Sequence, residues 1–306
     1  VILGGMKRMK QYVCIDIGGT SIKYGLADEQ GTFTVKSSMD TEAREKGAEG
    51  IQEKILSIVD GYRELHEVAG VAISTAGIVD PKEGRIIYAG ESIPGYTGTR
   101  LRELVERSCE LPCTVENDVN CAGLGEFWLG AAQGTKSAFC ITVGTGIGGC
   151  VLLDGRVWHG SGCSAGEIGY MQVGGPGTLE DLASTRHMVE EAAESHHTPV
   201  SEVDGKMVFD WARAGDADAV NAIAHMLTPL AKGICNVCYM LNPEVVVVGG
   251  GIMAQAAYLK PRLMLELQER MLPSVLEHTR LEFASLKNDA GMLGALYYFL
   301  QSAPRD

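Results

Sequence analysis

One pattern is written twice in this chain, and it limits the fold more than any other feature. The stretch CIDIGGTSIKYGLAD, residues 14–28, reads as part of two strands, 12–17 and 22–27, around Gly18-Gly19-Thr20-Ser21. Gly31-Thr32-Phe33 then leads into a third strand over 33–38. The pattern returns as a strand over 137–143, a glycine turn over 144–149, a strand over 150–153, Asp154-Gly155, and a strand over 156–159. Asp-Gly between apolar runs is a strong hairpin signal. Copies that start at residues 12 and 137 are too far apart for a solenoid. They predict two related α/β lobes.

The remaining segments fit between and after these copies. Residues 48–66 have helical periodicity, with Ile51, Ile55, Ile58, Val59 and Tyr62 on one side. Residues 68–74 read as a buried strand, and 113–115 as another that runs into a helix over 119–129. Residues 217–241 read as a long helix that Pro229 is expected to kink or split. A strand over 244–248 ends in Gly249-Gly250-Gly251, followed by a last strand at 281–286 and a closing helix at 290–300. The most loop-like stretch is 196–205, where His196 and His197 are expected to face solvent.

With 45% hydrophobic and 21% charged residues, a chain of 306 has ample material for one large domain or two lobes. A net charge of −13 argues against a nucleic-acid partner. Phosphate could bind such a protein only through local N–H groups and a metal ion. No apolar run approaches the ~18 residues of a membrane span, and the start VILGGMKRMK does not have the charge order of a secretory signal. Nine cysteines, an odd number and mostly among apolar neighbours, predict a reduced, cytoplasmic protein. Cys235 and Cys238 have CxxC spacing without a second pair, and read as core residues.

Glycine inside a strand pattern costs stability and leaves nothing to pack, so the two turns ask what comes close to the backbone there. Residues 144–149 contain GxGxxG, but a dinucleotide turn must open a helix, and strand and hairpin follow here. A glycine turn between antiparallel strands can instead aim N–H groups at an anion. Either turn alone also reads as a tight hairpin; two of them could grip one polyphosphate. Asp16, beside the first turn, would repel phosphate unless a cation lay between, and Mg²⁺ suits that place. Lys23 could neutralise phosphate charge, or be a solvated strand residue. Asn117 and Asp118 stand between a strand and a helix. They read as an N-cap and as a general base, one role for each.

DIGGTSIK, STAGIVD, ENDVNCAGLGE, VGTGIGGCVLLDG, GSGCSAGEIGY and VVVVGGGI follow in that order. This succession resembles the ROK family (repressor, open reading frame, kinase) of sugar kinases, in the actin/hexokinase-like superfamily, over nearly the whole chain. The resemblance implies an α/β, two-lobed actin-like ATPase (ribonuclease H-like) fold, with a mixed sheet flanked by helices in each lobe. It places residues 1–112 with 290–306 in a smaller lobe and 113–289 in a larger one. It implies ATP-dependent phosphorylation of a hexose or hexose derivative (glucose, glucoside or N-acetylmannosamine type) at the 6-hydroxyl, ATP and Mg²⁺ as cofactors, and a homodimer. By the same resemblance Asp118 is the catalytic base and Asn117 a sugar contact. Asp16 is the metal-side carboxylate, and Gly18, Gly19 and Thr20 are the first phosphate turn, with Lys23 just past it. Gly144, Thr145 and Gly146 are the second turn, and Gly249, Gly250 and Gly251 the adenosine cluster. Ala76 and Gly77 form the sugar-side turn, and Glu167 is a sugar-binding glutamate.

Two departures stand out. Where the family has a histidine that binds sugar and a structural zinc, this chain has Tyr170. Where the family's zinc motif of cysteines follows, the run is Gln172-Val-Gly-Gly-Pro-Gly-Thr-Leu-Glu180. No structural zinc is therefore expected. Tyr170 can hydrogen-bond a sugar but cannot replace imidazole on zinc. Glu180 reads as another sugar contact or as a helix-start acid, and the Tyr96 ring as packing on a sugar face. The alternatives to a kinase are a ROK-type sugar-sensing regulator and an actin-like ATPase without transfer to sugar. The dozen or so residues before the first strand are too few for the DNA-binding domain of such a regulator.

Overall fold

The computed structural model describes residues 9–90 and 93–302; most of the VILGGMKRMK start lies outside them. The chain divides into two compact units, one running up to Gly125 and resuming at Asn288, the other Glu126–Lys287.

In the first unit, β1 (Gln11–Ile17), β2 (Ser21–Asp28) and β3 (Phe33–Asp40) form an antiparallel meander. Helix α1 (Ala43–Arg63) leads to β4 (Val68–Thr75), parallel to β1. The pair β5 (Ile78–Asp80) and β6 (Arg85–Tyr88) makes a small separate sheet. Helix α2 (Leu101–Cys109) then feeds β7 (Cys113–Asn117), parallel to β4. The sheet order is β3-β2-β1-β4-β7.

Strand alternation sorts the two faces of this sheet. Val13, Ile15 and Ile17 of β1 and Val71 and Ile73 of β4 join Ile51, Ile55, Ile58 and Val59 of α1 in one core. The other face carries Tyr12, Asp16, Gly70 and Ser74, and takes the returning C-terminal helix Ala290–Ser302. A Cβ at Gly70 would meet Phe299 at 2.3 Å, so glycine there lets this helix close on the sheet. The Tyr12 and Phe299 rings pack at a tilt of 59°, their centroids 5.3 Å apart.

The helical pattern that starts at residue 48 has a structural basis. Gly47 leaves helical geometry (φ 56°, ψ −151°), and Ala48 N–H donates to Pro94 O at 3.0 Å. The turn of helix before Gly47 lies outside the apolar period.

From α3 (Asp118–Leu129) the chain enters the second unit. There β8 (Ser137–Val143), β9 (Ile147–Leu153) and β10 (Arg156–Val157) repeat the meander. Asp154 (φ 49°) and Gly155 (φ 72°) both adopt the left-handed region, as a type I′ hairpin needs. Helices α4 (Leu179–Ala183), α5 (Thr185–Ser195), α6 (Gly205–Arg213) and α7 (Ala217–Leu241) follow. Then come β11 (Val245–Gly249), α8 (Ala256–Arg270), α9 (Pro273–Leu276) and β12 (Arg280–Phe283), which makes the returning helix α10. The order β10-β9-β8-β11-β12 repeats that of the first sheet, with three antiparallel strands followed by two parallel additions. The twofold pattern read from the sequence is thus a twofold topology.

Several expectations change. The boundary after residue 112 moves, because β7 pairs along β4 from Val71↔Cys113 to Thr75↔Asn117 and so lies in the first unit. Asp289 falls there too, its carboxylate 2.7 Å from Lys36 Nζ. Pro229 does not split α7, which continues for 25 residues. The carbonyl its ring deprives of a donor belongs to exposed His225, where water can reach it. His196 is not a solvated loop residue. Its Nδ1 lies 2.8 Å from Ala192 O, its Nε2 lies 3.1 Å from Asp216 Oδ2, and its ring stacks on Trp211 at 4.3 Å. All nine cysteines are free, and all but Cys163 are buried. Among the described residues no helix is long and apolar enough to cross a membrane.

Candidate active site

In a sheet with parallel strands, loops at the strands' carboxyl ends gather on one edge, where ligands bind. In the first unit β1 ends at Gly18-Gly19-Thr20, β4 at Ala76-Gly77 and β7 at Asn117-Asp118. Register aligns them, since Asp16 pairs with Ser74 and Ser74 with Glu116, while Ile17, Thr75 and Asn117 form the next row.

Asn117 caps α3. Its Oδ1 accepts from Val119 N–H at 2.9 Å and Asn120 N–H at 3.0 Å, the second and third amides of the helix. Its Nδ2 donates to Gly77 O at 2.9 Å and to Asp118 Oδ1 at 3.0 Å. Asp118 follows at the first helical position, and its Oδ1 also accepts from Val119 N–H at 2.9 Å. The structure thus brings Gly77, Asn117 and Asp118 together. Gly77 needs no side chain: its φ is +100°, and a Cβ would lie 2.7 Å from Tyr88 O.

Two residues missed in the sequence hold this edge. Glu116 is 1% exposed, and its Oε1 accepts from Asn117 N–H at 2.8 Å and Asn120 Nδ2 at 3.0 Å. Ser74, wholly buried, donates to Asp16 Oδ1 at 2.6 Å. A charged or hydroxyl residue in an otherwise apolar strand was the available signal for both. Lys23 Nζ stands 3.7 Å from Asp16 Oδ2, so this lysine pairs with Asp16 across β1 and β2. A third residue, Gly291 of α10, had no signal at all. A Cβ there would lie 2.6 Å from Asp16 Oδ1.

The first turn is tied down by Gly18 N–H to Ser21 O (3.0 Å), Thr41 Oγ1 to Gly18 O (2.7 Å) and Thr41 N–H to Thr20 O (2.9 Å). Apart from its chain neighbours, a Cβ on Gly19 would meet no atom of the described residues within 4 Å. Neither packing nor backbone angle explains that glycine.

Tyr96 is corrected. It is 1% exposed, and its hydroxyl meets Thr75 Oγ1 at 2.7 Å, so its ring is core and not a platform for a ligand. Burial pushes its phenol well above the usual range, and the charge of Asp118 adds to this. A cavity of about 340 Å³ opens along the same loop, lined by Ala89, Gly90, Ile93, Pro94, Gly95, Tyr96 and Thr97.

In the second unit β8 ends at Gly144-Thr145-Gly146, and β11 at Gly249-Gly250-Gly251. Gly250 and Gly251, the two glycines after β11, differ in what demands them. Gly250 has φ +90° and a Cβ there would lie 2.4 Å from Val143 O, so the fold needs it; Gly251 faces open space. Glu180, in the first turn of α4, accepts from Ile147 N–H through Oε2 at 2.8 Å. Glu167 precedes the 3₁₀ turn Ile168–Tyr170. Partial desolvation, then the charge of Glu180, pushes its carboxyl up. Tyr170 is 71% exposed. Among the described residues no group of three or more His, Cys, Asp or Glu side chains is arranged to hold a metal.

The ROK family model matches residues 12–302. The chain is 46% identical over 294 residues to the uncharacterized protein CPE0188 of Clostridium perfringens, covering 96% of this chain and 99% of that one. It is 35% identical over 298 residues to the β-glucoside kinase of Listeria monocytogenes, covering 95% and 97%. The crystal structure of a ROK family glucokinase from Streptomyces griseus in complex with glucose and AMPPNP matches with a TM-score of 0.80 and 30% identity, over 95% of this chain and 100% of that one. With the twofold topology and the Asn117-Asp118 helix start, these matches make the chain a member of the ROK family.

Proposed function

We propose that this chain is an ATP-dependent sugar kinase in which Asp118 is the general base. It transfers the γ-phosphoryl group of ATP to the 6-hydroxyl of a hexose or hexose derivative. Asp118 carries the reading: a carboxylate at the first position of a helix, oriented by Asn117 Nδ2 and Val119 N–H. It takes the hydroxyl proton as the sugar oxygen bonds to the γ-phosphorus and the bond to the β-phosphate oxygen breaks, releasing ADP.

The other residues bind and orient. Asn117, Ala76 and Gly77 form the sugar-side edge of the first unit, and Glu167, Tyr170 and Glu180 are acceptor-side groups of the second. Gly18, Gly19, Thr20 and Lys23 take phosphate in the first unit, and Gly144, Thr145 and Gly146 in the second. Gly249–Gly251 lie against adenosine. The open space at Gly19 and Gly251 supports close approach by a nucleotide. A single carboxylate of hard oxygen donors, Asp16, fits Mg²⁺, which keeps waters and phosphate oxygens as its other ligands. When bound, the ion would neutralise phosphate charge.

The relatives direct the choice of acceptor to glucose and β-glucosides, with N-acetylmannosamine as a third class. The chain acts in the cytoplasm as a homodimer and does not bind nucleic acid. A coupled assay of ADP release with glucose, a β-glucoside disaccharide and N-acetylmannosamine tests the activity. ADP release that no sugar stimulates would reject it in favour of an actin-like ATPase without transfer to sugar. Light scattering coupled to size exclusion tests the dimer.

A further inference from the structure

We infer that Glu180 is a positioning residue for the second glycine turn, and that its carboxylate holds the shape of the bend to which phosphate binds. The inference rests on the nucleotide reading of that turn given above. The β8–β9 ladder closes at Val143↔Ile147, which leaves Gly144-Thr145-Gly146 as the bend. A bend with two glycines is pliant unless something outside it fixes it. Within the bend, Gly144 N–H donates to Gly146 O at 2.9 Å. From outside, Thr185 N–H donates to Gly144 O at 2.9 Å, and Glu180 Oε2 accepts from Ile147 N–H at 2.8 Å. Residues 180–185 therefore hold the bend at both ends.

The glycines around it are fitted to this carboxylate. A Cβ at Gly146 would lie 2.6 Å from Glu180 Oε2. A Cβ at Gly169 would lie 3.4 Å from the same oxygen and 2.3 Å from Ile147 O. Glycine at 146 is thus explained by the approach of Glu180, unlike glycine at 19, which faces open space.

Glu180 is presented from a firm base. Thr178 and Asp181 form a reciprocal capping box at the start of α4. Leu179 and Ala183, on either side of Glu180, are fully buried in the core of this unit. The role calls for a well-placed acceptor, and not for the charge, which by itself would oppose phosphate. Glutamine can therefore fill it and alanine cannot.

Two readouts test this, the affinity for AMPPNP by calorimetry without sugar, and hydrogen exchange at the Ile147 amide. Glu180→Ala is expected to weaken AMPPNP about tenfold, the scale of one charge-assisted hydrogen bond, and to lower Ile147 protection to match. Glu180→Gln is expected to stay within about threefold of wild type in both. Gly146→Ala, which pushes the carboxylate away from the other side, is expected to reproduce the loss without adding to that of Glu180→Ala, and it carries the test if the latter does not fold. AMPPNP affinity and Ile147 protection left intact in Glu180→Ala, with only sugar affinity reduced, would confine Glu180 to its acceptor-side role and overturn the inference. Additive losses would overturn it as well. Wild-type protein that binds no AMPPNP would bring down the kinase reading and this inference together.

Discussion

Asn117 and Asp118 differ by one atom type, and the first turn of α3 gives them separate work. The residue before the first helical position can reach the second and third amides, and Asn117 does so. Asp118 shares the Val119 amide through Oδ1 and presents a carboxylate that can receive a proton. Asp118→Asn keeps an acceptor for Val119 N–H but removes that basicity. Its kcat should fall by at least ~10²-fold, with thermal unfolding unchanged; steady-state kinetics and a melting curve check both halves. Gly291 sets a similar limit on Asp16. A methyl group at 291 would press on the carboxylate at 2.6 Å. Gly291→Ala should cost about 1–3 kcal/mol in urea unfolding, and lower activity with it. Full stability and full activity would show that the contact yields freely.

Among the elements, α3 and α10 cross at small residues. A Cβ at Gly294 would fall 1.6 Å from Cys121 O, and one at Gly125 would fall 2.5 Å from Ala290 O. Gly294→Ala must push these helices apart, and is expected to cost about 3 kcal/mol or more; denaturant titration measures it. Helix α5 ends on His196, which bridges Ala192 and Asp216. The Ala192 carbonyl first, then Asp216, push the His196 pKa above its usual 6.5. The Ala219 N–H first, then His196, hold Asp216 below its usual 3.8. The histidine's contribution is complete below pH 6.5 and disappears as pH rises through its raised folded pKa; that of Asp216 is complete above pH 3.8 and disappears as pH falls through its lowered one. Thermal melts should therefore show His196→Ala more destabilised at about pH 5.5 than at about pH 8.5. An equal difference at both would count against the charged pair.

For the molecule as a whole, the chain path makes the two units unequal in independence. The second, Glu126–Lys287, is continuous and has its own core. The first needs α10, which returns from beyond the second and buries Leu296 and Phe299. Residues 126–287 expressed alone should fold. A chain ending at Lys287 should keep that unit and lose the first, because one face of β1 and β4 would be uncovered. Limited proteolysis of both, with the surviving fragments identified by mass, decides this. A truncated chain whose first unit resisted proteolysis would show that α10 is dispensable.

The sequence by itself determined the local devices. Hairpins, glycine turns, the Asp154-Gly155 bend and the Asn-Asp helix start are written in neighbouring residues, because each is closed by bonds a few positions apart. The pattern of apolar residues likewise revealed α7 and the buried strands. Tertiary structure alone decided what each glycine is for. Gly146 answers to Glu180, Gly250 to Val143, Gly291 to Asp16, and Gly19 to no atom of the described residues beyond its chain neighbours. It also decided that β7 belongs with the first sheet, that Tyr96 is core, and that His196 is bonded at both nitrogens. In each case the partner is remote in the chain or the contact depends on three-dimensional approach, and a linear pattern holds no record of either.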